Sequence, residues 1–254
     1  MKNTHKICGA ALLAVIGLGL ALPGATKAAE SDSFAGEGNV EFQKDTTPDT
    51  ITPPDTDGPV LPYPPVNPST ADMKIVGITP LDFEKHDILT DGSSPTYEAK
   101  PFNDATFGDM ENFVDFKDVR STTDHTYKIY GKLSTQFAHA NGSQLKGAFI
   151  TFANTRVASN GTANAEALKP VGAVTTPVKL EPAADGLAAG ENTLFLDNTD
   201  ATKGFGQYKL AFGNRATSVE NIRESVKLTV PGDNMLSVGK YTAEITWTIS
   251  DTPL

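Results

Sequence analysis

The sequence predicts an all-β protein, a mainly antiparallel, sandwich-like domain preceded by an extended leader rich in proline and threonine. From Met73 onward, short segments alternate between apolar and polar residues with a period of two. This is the pattern of a strand with one buried face. Glycine, proline and asparagine separate these segments, and no long stretch has helical periodicity. About 180 residues remain after Met73, a normal size for one β-sandwich domain.

The candidate strands share this alternation and end at turn-forming residues: 73–78, 113–116, 126–137, 147–152, 178–180, 193–196, 225–230 and 240–249. The last of them has the clearest pattern, with five apolar or aromatic side chains on one face: Tyr241, Ala243, Ile245, Trp247 and Ile249. Trp247 is the only tryptophan in the chain. A terminal strand of this kind must dock in a sheet, because an undocked end would expose the whole apolar face. Residues 219–224 are the best helix candidate, a single turn.

The first 28 residues have the features of a secretory signal peptide. Lys2 and Lys6 precede an apolar run at residues 10–22, and small residues follow it. This run is too short and wrongly flanked for a stable membrane span. We expect cleavage after Ala28, with Ala29 as the alternative, and therefore a secreted protein that does not span the membrane. Cys8 lies within the removed segment, so the mature chain would contain no disulfide.

Residues 29–72 form the predicted leader. Residues 39–43 alternate briefly and could form a first strand, and residues 46–70 are dense in proline, threonine and aspartate. Proline favours extended backbone and lacks an amide donor, so this stretch is predicted to be a semi-rigid spacer. Two forms remain open, a disordered leader and an ordered extension laid across the domain that begins at residue 73.

The charge balance restricts the partners. The chain carries a formal net charge of −10, and loss of Lys2, Lys6 and Lys27 with the signal peptide would take it to about −13. Nucleic acid is therefore not expected as a partner, because phosphate binding is driven by lysine and arginine. Simple charge attraction to an anionic cell wall is also excluded, because the chain and the wall both carry negative charge.

Catalytic and metal-binding motifs are not found. The mature sequence has no Gly-x-Ser-x-Gly elbow, no His-Glu-x-x-His helix, no phosphate loop and no cysteine nucleophile. We therefore expect a non-catalytic protein without a cofactor. The separated histidines, His86, His125 and His139, are predicted to be surface residues. Residues 197–200 (Asp-Asn-Thr-Asp) could offer oxygen ligands to calcium, but they lack EF-hand spacing, and a solvated turn is the favoured interpretation.

The C-terminal strand resembles the distal motif of the WxL surface proteins of Gram-positive bacteria. That motif has a tyrosine, three residues, Leu-Thr-Trp-x-Leu, three residues and a proline. Here Tyr241, Trp247 and Pro253 hold the matching places, and Ile245 and Ile249 stand at the leucine positions.

A second region resembles the proximal motif of the same family. Asp118 and Arg120 match an Asp-x-Arg turn. In the strand that follows, Tyr127 stands where tryptophan is expected and Ile129 stands for leucine. Together the two motifs extend the resemblance over residues 73–254.

The resemblance implies a secreted, non-catalytic protein held non-covalently on the cell wall by its β domain, with peptidoglycan or another wall glycan as the ligand. It also implies other exported proteins of the same locus as possible partners. An alternative function is a protein-binding subunit of a surface adhesion or polymer-capture complex, attached through its partner. The candidate binding residues are those of the motifs: Tyr127, Ile129, Trp247, Ile249, Tyr241, Asp118 and Arg120.

Two interpretations of these residues stay open. Tyr127 and Trp247 could be core residues on an inner sheet face, or a platform on which wall units stack. Asp118 and Arg120 are expected to brace a turn through a local ion pair or hydrogen bonds. An ion pair at the surface would contribute at most about 1 kcal/mol.

Overall fold

The computed structural model describes residues 32–254, so the predicted signal peptide and its cleavage site lie outside the described residues. The chain divides into a segment that ends at Thr46 and a compact unit from Thr47 to Leu254. Residues 32–46 are exposed and contain no helix or strand. The possible first strand at residues 39–43 is therefore not formed, and Val40 and Phe42 remain 77% and 88% exposed. Alternation alone does not make a strand, because its backbone groups need hydrogen-bonding partners on a neighbouring strand.

The compact unit is built from thirteen strands and two short helices, which confirms the predicted all-β class. In chain order they are β1 (Met73–Ile78), β2 (Thr96–Glu98), β3 (Phe102–Asp104), β4 (Gly108–Met110), β5 (Asn112–Asp118), β6 (Tyr127–His139), β7 (Phe149–Phe152), β8 (Thr155–Ala158), α1 (Ala163–Leu168), β9 (Val178–Leu180), β10 (Thr193–Asn198), β11 (Gly206–Phe212), α2 (Val219–Glu224), β12 (Val226–Thr229) and β13 (Tyr241–Ser250). In residues 32–254 neither helix approaches the length or apolar content needed to cross a bilayer.

Three sheets and a hairpin organise these strands. Sheet 1 has the order β1-β5-β11-β8, sheet 2 the order β10-β6-β13, and sheet 3 the order β2-β12-β7-β9, while β3 and β4 pair with each other. Every one of these pairings is antiparallel. Neighbours in sheet 1 are far apart in sequence, so the sheet closes only when distant parts of the chain meet.

The main core lies where the inner faces of the three sheets meet. Sheet 1 contributes Phe116 and Tyr208, sheet 2 contributes Ile129 and Trp247, and sheet 3 contributes Phe152. All five side chains are buried. Side chains alternate along each strand, so the next residues of β5 and β11 point to the opposite face of sheet 1.

That opposite face is covered by the strap, which we define as residues 47–67. Ile51 is fully buried and Leu61 is 4% exposed, and both pack into a second apolar cluster with Val76 and Phe113 of sheet 1. A backbone hydrogen bond from Leu61 N to Ile51 O at 2.7 Å links two parts of the strap, and another from Asn67 N to Val76 O at 2.7 Å joins it to β1. The proline-rich stretch is therefore laid across sheet 1 from residue 47 onward.

Charged groups also join the strap to sheet 1. Asp49 pairs with Lys74 of β1 at 2.6 Å and with Lys117 of β5 at 2.5 Å. Burial alone would raise the pKa of Asp49, but the hydrogen bonds and charges of these two lysines lower it below the usual value. Asp49 is therefore held ionised between the two amines.

A buried charge pair lies on the same face of sheet 1. Asp115 of β5 is fully buried and lies 3.4 Å from the amine of Lys209 on β11, which is 2% exposed. Gln207 donates one hydrogen bond to Asp115 at 2.9 Å and another to Thr50 O of the strap at 2.8 Å. Burial raises the pKa of Asp115 to about 6, although the nearby amine opposes that shift.

Candidate functional site

The two sequence motifs lie on neighbouring strands of sheet 2. β6 carries Tyr127 and Ile129, β13 carries Trp247 and Ile249, and the two strands pair antiparallel along most of their length. Ile249 lies opposite Ile129, and Trp247 lies opposite Gly131. Motifs more than a hundred residues apart in sequence thus form one continuous patch of sheet, and Thr246 adds a side-chain hydrogen bond to Ser134 across the pair.

Trp247 is packed between the sheets. Its side chain is 8% exposed, and its ring contacts three phenylalanines, with centroid distances of 4.7 Å to Phe195, 5.7 Å to Phe152 and 5.8 Å to Phe212. The rings of Phe195 and Phe152 meet the indole edge to face, an arrangement that aromatic pairs favour. The indole therefore fills the core, and only a small part of it reaches solvent.

Tyr127 is packed on the same inner side of β6. It is 2% exposed, its ring lies 6.0 Å edge-on from Phe116, and its hydroxyl donates a hydrogen bond to Gly204 O at 3.2 Å. Burial raises the pKa of Tyr127 above its usual value, with a further contribution from the charge of Asp118. Ile129 is fully buried. Tyr127 and Ile129 thus occupy core positions rather than an open platform.

The remaining residues of the distal motif are less deeply buried. Ile249 is half-buried against the main core. Tyr241, at the start of β13, is half-buried, and its hydroxyl accepts a hydrogen bond from Ser237 N at 2.8 Å. The Tyr241 ring also lies 5.2 Å from the ring of His139 on β6. Tyr241 thus lies at one end of the β6–β13 pair, and Ile249 lies near the other end.

Asp118 and Arg120 brace the turn after β5, but not as a surface pair. Asp118 is fully buried and receives hydrogen bonds from Arg120 Nε at 2.9 Å and Nη2 at 2.8 Å. His125 Nδ1 lies 2.9 Å from the same carboxylate. Burial alone would raise the pKa of Asp118, but the hydrogen bonds from Arg120 and His125 lower it below the usual value. The expected limit of about 1 kcal/mol for an exposed pair does not apply to this carboxylate.

The prediction that His125 is a surface residue is wrong. This histidine is 8% exposed and is not a surface residue, because the Asp118 carboxylate and the ring of Phe205, 5.1 Å away, enclose it. His86 is exposed and stacks on Tyr97 with 4.0 Å between the ring centroids, and His139 is half-buried.

Arg120 extends the network to the end of β13 through an ion pair with Asp251 at 3.1 Å. The proximal turn and the distal motif are therefore linked by charge as well as by strand pairing.

One face of β13 lines an apolar groove of about 1120 Å³. Tyr241, Ile245 and Trp247 form one wall, and residues 78–88 form part of another. Phe83 of that second wall packs edge-on against Phe137 at 6.2 Å. At the rim, Ile88 is 41% exposed and Val238 is 88% exposed. Of the predicted binding residues, Tyr241 and Trp247 are the ones that line this groove.

The side chains of the candidate calcium turn are engaged in local structure. Asp197 pairs with Lys128, and Asp200 accepts hydrogen bonds from the backbone and hydroxyl groups of Thr202 at 3.0 and 2.7 Å. Asn198 is 1% exposed, and its amide donates to His125 O at 2.8 Å. These contacts account for the turn as a structural element that supports the loop carrying His125.

Another acidic group lies on sheet 3 and α2. Among residues 32–254, Glu98, Glu220 and Glu224 each have an oxygen within 4.8 Å of the others. Glu98 also pairs with Lys227 at 3.4 Å. Glu220 and Glu224 are exposed and Glu98 is half-buried, so the group lies at the surface of the unit.

The comparison with known families agrees with the motif geometry. Residues 29–253 match the family described as WxL domain, surface cell wall-binding. No curated protein and no solved structure matches this chain. The match covers both motif strands and nearly all of the described residues. The chain therefore belongs to the family of WxL domain surface cell wall-binding proteins.

Proposed function

We propose that this protein is exported and is held non-covalently on the wall of a Gram-positive cell by its folded unit, without catalysing a reaction. The match to the cell wall-binding family over residues 29–253 carries the proposal. The pairing of β6 with β13 supports it, because both motifs then belong to one folded binding unit. The proposed ligand is peptidoglycan or another wall glycan.

In this proposal most of the motif acts through the fold. Tyr127, Ile129 and Asp118 are buried, so they stabilise the sheet pair and the turn that present the binding surface. A ligand would be contacted by exposed groups of the same unit. The paired motif would then support binding by stabilising the surface that contacts the ligand, and its aromatic rings would not themselves stack on the ligand.

Charge supports a specific mode of attachment. The mature chain would carry about −13 charges, and an anionic wall would repel it at long range. Salt screens this repulsion, since the Debye length falls from about 10 Å at 0.1 M to about 3 Å at 1 M. Binding through hydrogen bonds and stacking should therefore persist or strengthen as the salt concentration rises.

The test is sedimentation of the mature protein with isolated cell walls, washed at roughly 0.1 M and 1 M sodium chloride and then with denaturant. We expect retention through both salt washes and release by denaturant, which unfolds the unit. A basic control protein bound to the same walls should be released at 1 M salt. Quantitative release of this protein by salt alone would contradict the proposal and would indicate attachment through its lysines.

A second candidate function is a protein-binding subunit that reaches the wall through a partner. The apolar groove along β13 favours it, because exposed apolar residues such as Val238 at a groove rim are typical of protein interfaces. Walls stripped of protein distinguish the two functions. Retention on stripped walls supports direct binding, and retention only after other exported proteins are added supports the second candidate. In that second case Val238→Lys should reduce retention, whereas direct binding should be unaffected by it.

A further inference from the structure

A second cleft, lined by both polar and apolar groups, opens between the strap, α1 and the start of β11. Its volume is about 440 Å³, within the range of roughly 300–1,000 Å³ that small-ligand sites occupy. The strap contributes Thr50, Thr52 and Asp57, and the α1 region contributes Asn160 and Asn164. The third wall is formed by residues 205–209. The cleft is separate from the motif residues and from the apolar groove along β13.

Part of the strap borders this cleft. Ile51 points into the second apolar cluster and is fully buried, whereas its neighbours Thr50 and Thr52 line the cleft. Gln207 fixes the position of this segment by donating a hydrogen bond to Thr50 O at 2.8 Å. This part of the strap is thus held in position by the packing of Ile51 and by the hydrogen bond from Gln207 to the Thr50 backbone.

The polar groups of the cleft have capacity for a ligand. In the described part of the chain, the side chains of Thr52, Asp57 and Asn164 make no hydrogen bond to other protein groups. Asn160 uses its side-chain oxygen to accept from the backbone and hydroxyl groups of Thr162 at 3.1 and 2.9 Å. Its amide N–H groups therefore remain available as donors. The cleft offers amide donors, amide acceptors, hydroxyls and one carboxylate together.

An aromatic ring borders the same cleft. Phe205 is 44% exposed, yet its position is fixed by the His125 ring at 5.1 Å and by the Tyr208 hydroxyl, which donates to Phe205 O at 2.9 Å. A fixed and half-exposed ring offers an apolar face for the C–H groups of a sugar ring. Polar groups that converge beside such a face are the usual composition of a small-ligand site.

The charges of the cleft favour a neutral ligand. Asp57 is exposed, and the amine of Lys209 is buried and paired with Asp115, so the wall of the cleft presents no free cation. A phosphate polymer would meet a carboxylate without a compensating positive charge, which costs free energy. A neutral sugar with hydroxyl and amide groups would satisfy the Asn, Thr and Asp side chains without this cost.

We propose that this cleft binds a short stretch of neutral, amide-bearing wall glycan, an oligosaccharide of N-acetylated hexosamine. The proposal rests on the proposed function and assigns the wall ligand to a particular surface of the unit. Phe205 stacks against a sugar ring, Asn160 and Asn164 hydrogen-bond its amide and hydroxyl groups, and the strap hydroxyls line the opposite side. The strap then has a binding role in addition to its packing role.

The probe is the β-1,4-linked tetrasaccharide of N-acetylglucosamine, titrated into the mature protein by calorimetry. We expect saturable binding that Asn164→Ala weakens by about three- to tenfold, the effect of one lost hydrogen bond, and that Phe205→Ala weakens by about tenfold. Asn164 is exposed on α1, so its variant should fold normally, and Met235→Ala, at a side chain 94% exposed elsewhere, is the matched control. Thermal unfolding of each variant checks that the fold is retained.

The outcomes separate this proposal from the proposed function. Absence of tetrasaccharide binding, or binding that Asn164→Ala and Phe205→Ala leave unchanged, would overturn the cleft as the site. If the protein still sediments with walls in that case, the proposed function stands and its ligand lies elsewhere. If it binds neither walls nor the tetrasaccharide, the proposed function fails as well. Binding of polyglycerol phosphate in place of the tetrasaccharide would overturn the assignment of a neutral ligand.

Discussion

Gly131 lies directly opposite Trp247 across the β6–β13 pair, and its missing side chain leaves the space that the indole occupies. A Cβ atom at Gly131 would lie 3.1 Å from Trp247 Cζ3 and 2.8 Å from Phe195 Cε2. Both rings belong to the main core, so neither is free to move away. The glycine of the proximal strand and the tryptophan of the distal motif therefore form one packing unit.

Replacement of this glycine should be destabilising. We expect Gly131→Ala to lower the free energy of unfolding by about 1–3 kcal/mol, because the added methyl group overpacks the contact with Phe195 and Trp247. Gly38→Ala is the control, since a Cβ there meets nothing within 4 Å. Denaturant unfolding monitored by the fluorescence of Trp247 measures both. Equal stability of the two variants would contradict the close packing around Gly131.

Removal of the indole should have a larger effect. Trp247→Ala should cost about 3–5 kcal/mol, the range for a large buried aromatic side chain, because it leaves a cavity between Phe195, Phe152 and Phe212. Met235→Ala, at an exposed side chain, should leave the unfolding temperature unchanged. Thermal unfolding by circular dichroism compares them. An unchanged melting temperature for Trp247→Ala would mean that the indole is exposed and free to contact a ligand.

The buried turn gives a third prediction. Asp118→Ala should cost about 3–5 kcal/mol, because it leaves Arg120 and His125 without the carboxylate that they share in a buried site. Asp251→Ala removes the other partner of Arg120. Because the Asp251 side chain is 55% exposed, this change should cost at most about 1 kcal/mol. Urea unfolding of the two variants at pH 7 is the measurement. Similar losses for both would indicate that Asp118 behaves as an exposed group.

The Asp115 carboxyl predicts a pH dependence. Its pKa is about 6 in the folded chain, whereas an unperturbed aspartate has a pKa of about 3.9. Between these values the folded chain holds a proton that the unfolded chain releases. This contribution to stability is complete below pH 4 and is lost as the pH rises through 6, by at most about 3 kcal/mol. Asp118 and Asp49, whose pKa values are lowered, contribute in the opposite direction, and that contribution is lost as the pH falls through their folded values.

The measurement is the free energy of unfolding in urea at intervals from pH 4 to pH 7. Asp115→Asn cannot titrate, so the difference between the wild type and this variant should change with pH, most steeply between pH 4 and 6. Asp87→Asn, at an exposed side chain, should follow the wild type. A constant difference between the wild type and Asp115→Asn would show that Asp115 does not take up a proton in this range.

Most of the strands were predictable from sequence. All eight predicted strands correspond to observed ones, and residues 219–224 form α2. β11 was not predicted, although Tyr208 and Leu210 alternate with Gln207 and Lys209. Tyr208 and Leu210 face the main core, while Lys209 and Ala211 lie on the opposite, strap-covered face. The burial of Lys209 depends on Asp115, which is far away in sequence, and no local pattern reveals it.

The groove and the cleft were less predictable than the motifs. The sequence located the paired motif strands and their apolar face, because both are local patterns. It did not indicate the burial of His125, which depends on Asp118 and Phe205 coming together in the fold. The second cleft was also missed, since its walls come from the strap, α1 and β11. The proline-rich composition of the strap describes its backbone but not the sheet on which it docks.

The strap also sets an order of folding. The hydrogen bond from Gln207 to Thr50 spans 157 residues, and β6 must await β13 at the far end of the chain. Contacts this distant in sequence form late, because the loop between them must first be closed. A chain that emerges with its N-terminus first would hold Thr50 without the hydrogen bond from Gln207 until β11 arrives, and sheet 2 would be incomplete until residue 250. The unit therefore reaches its folded form only when almost all of its chain is present.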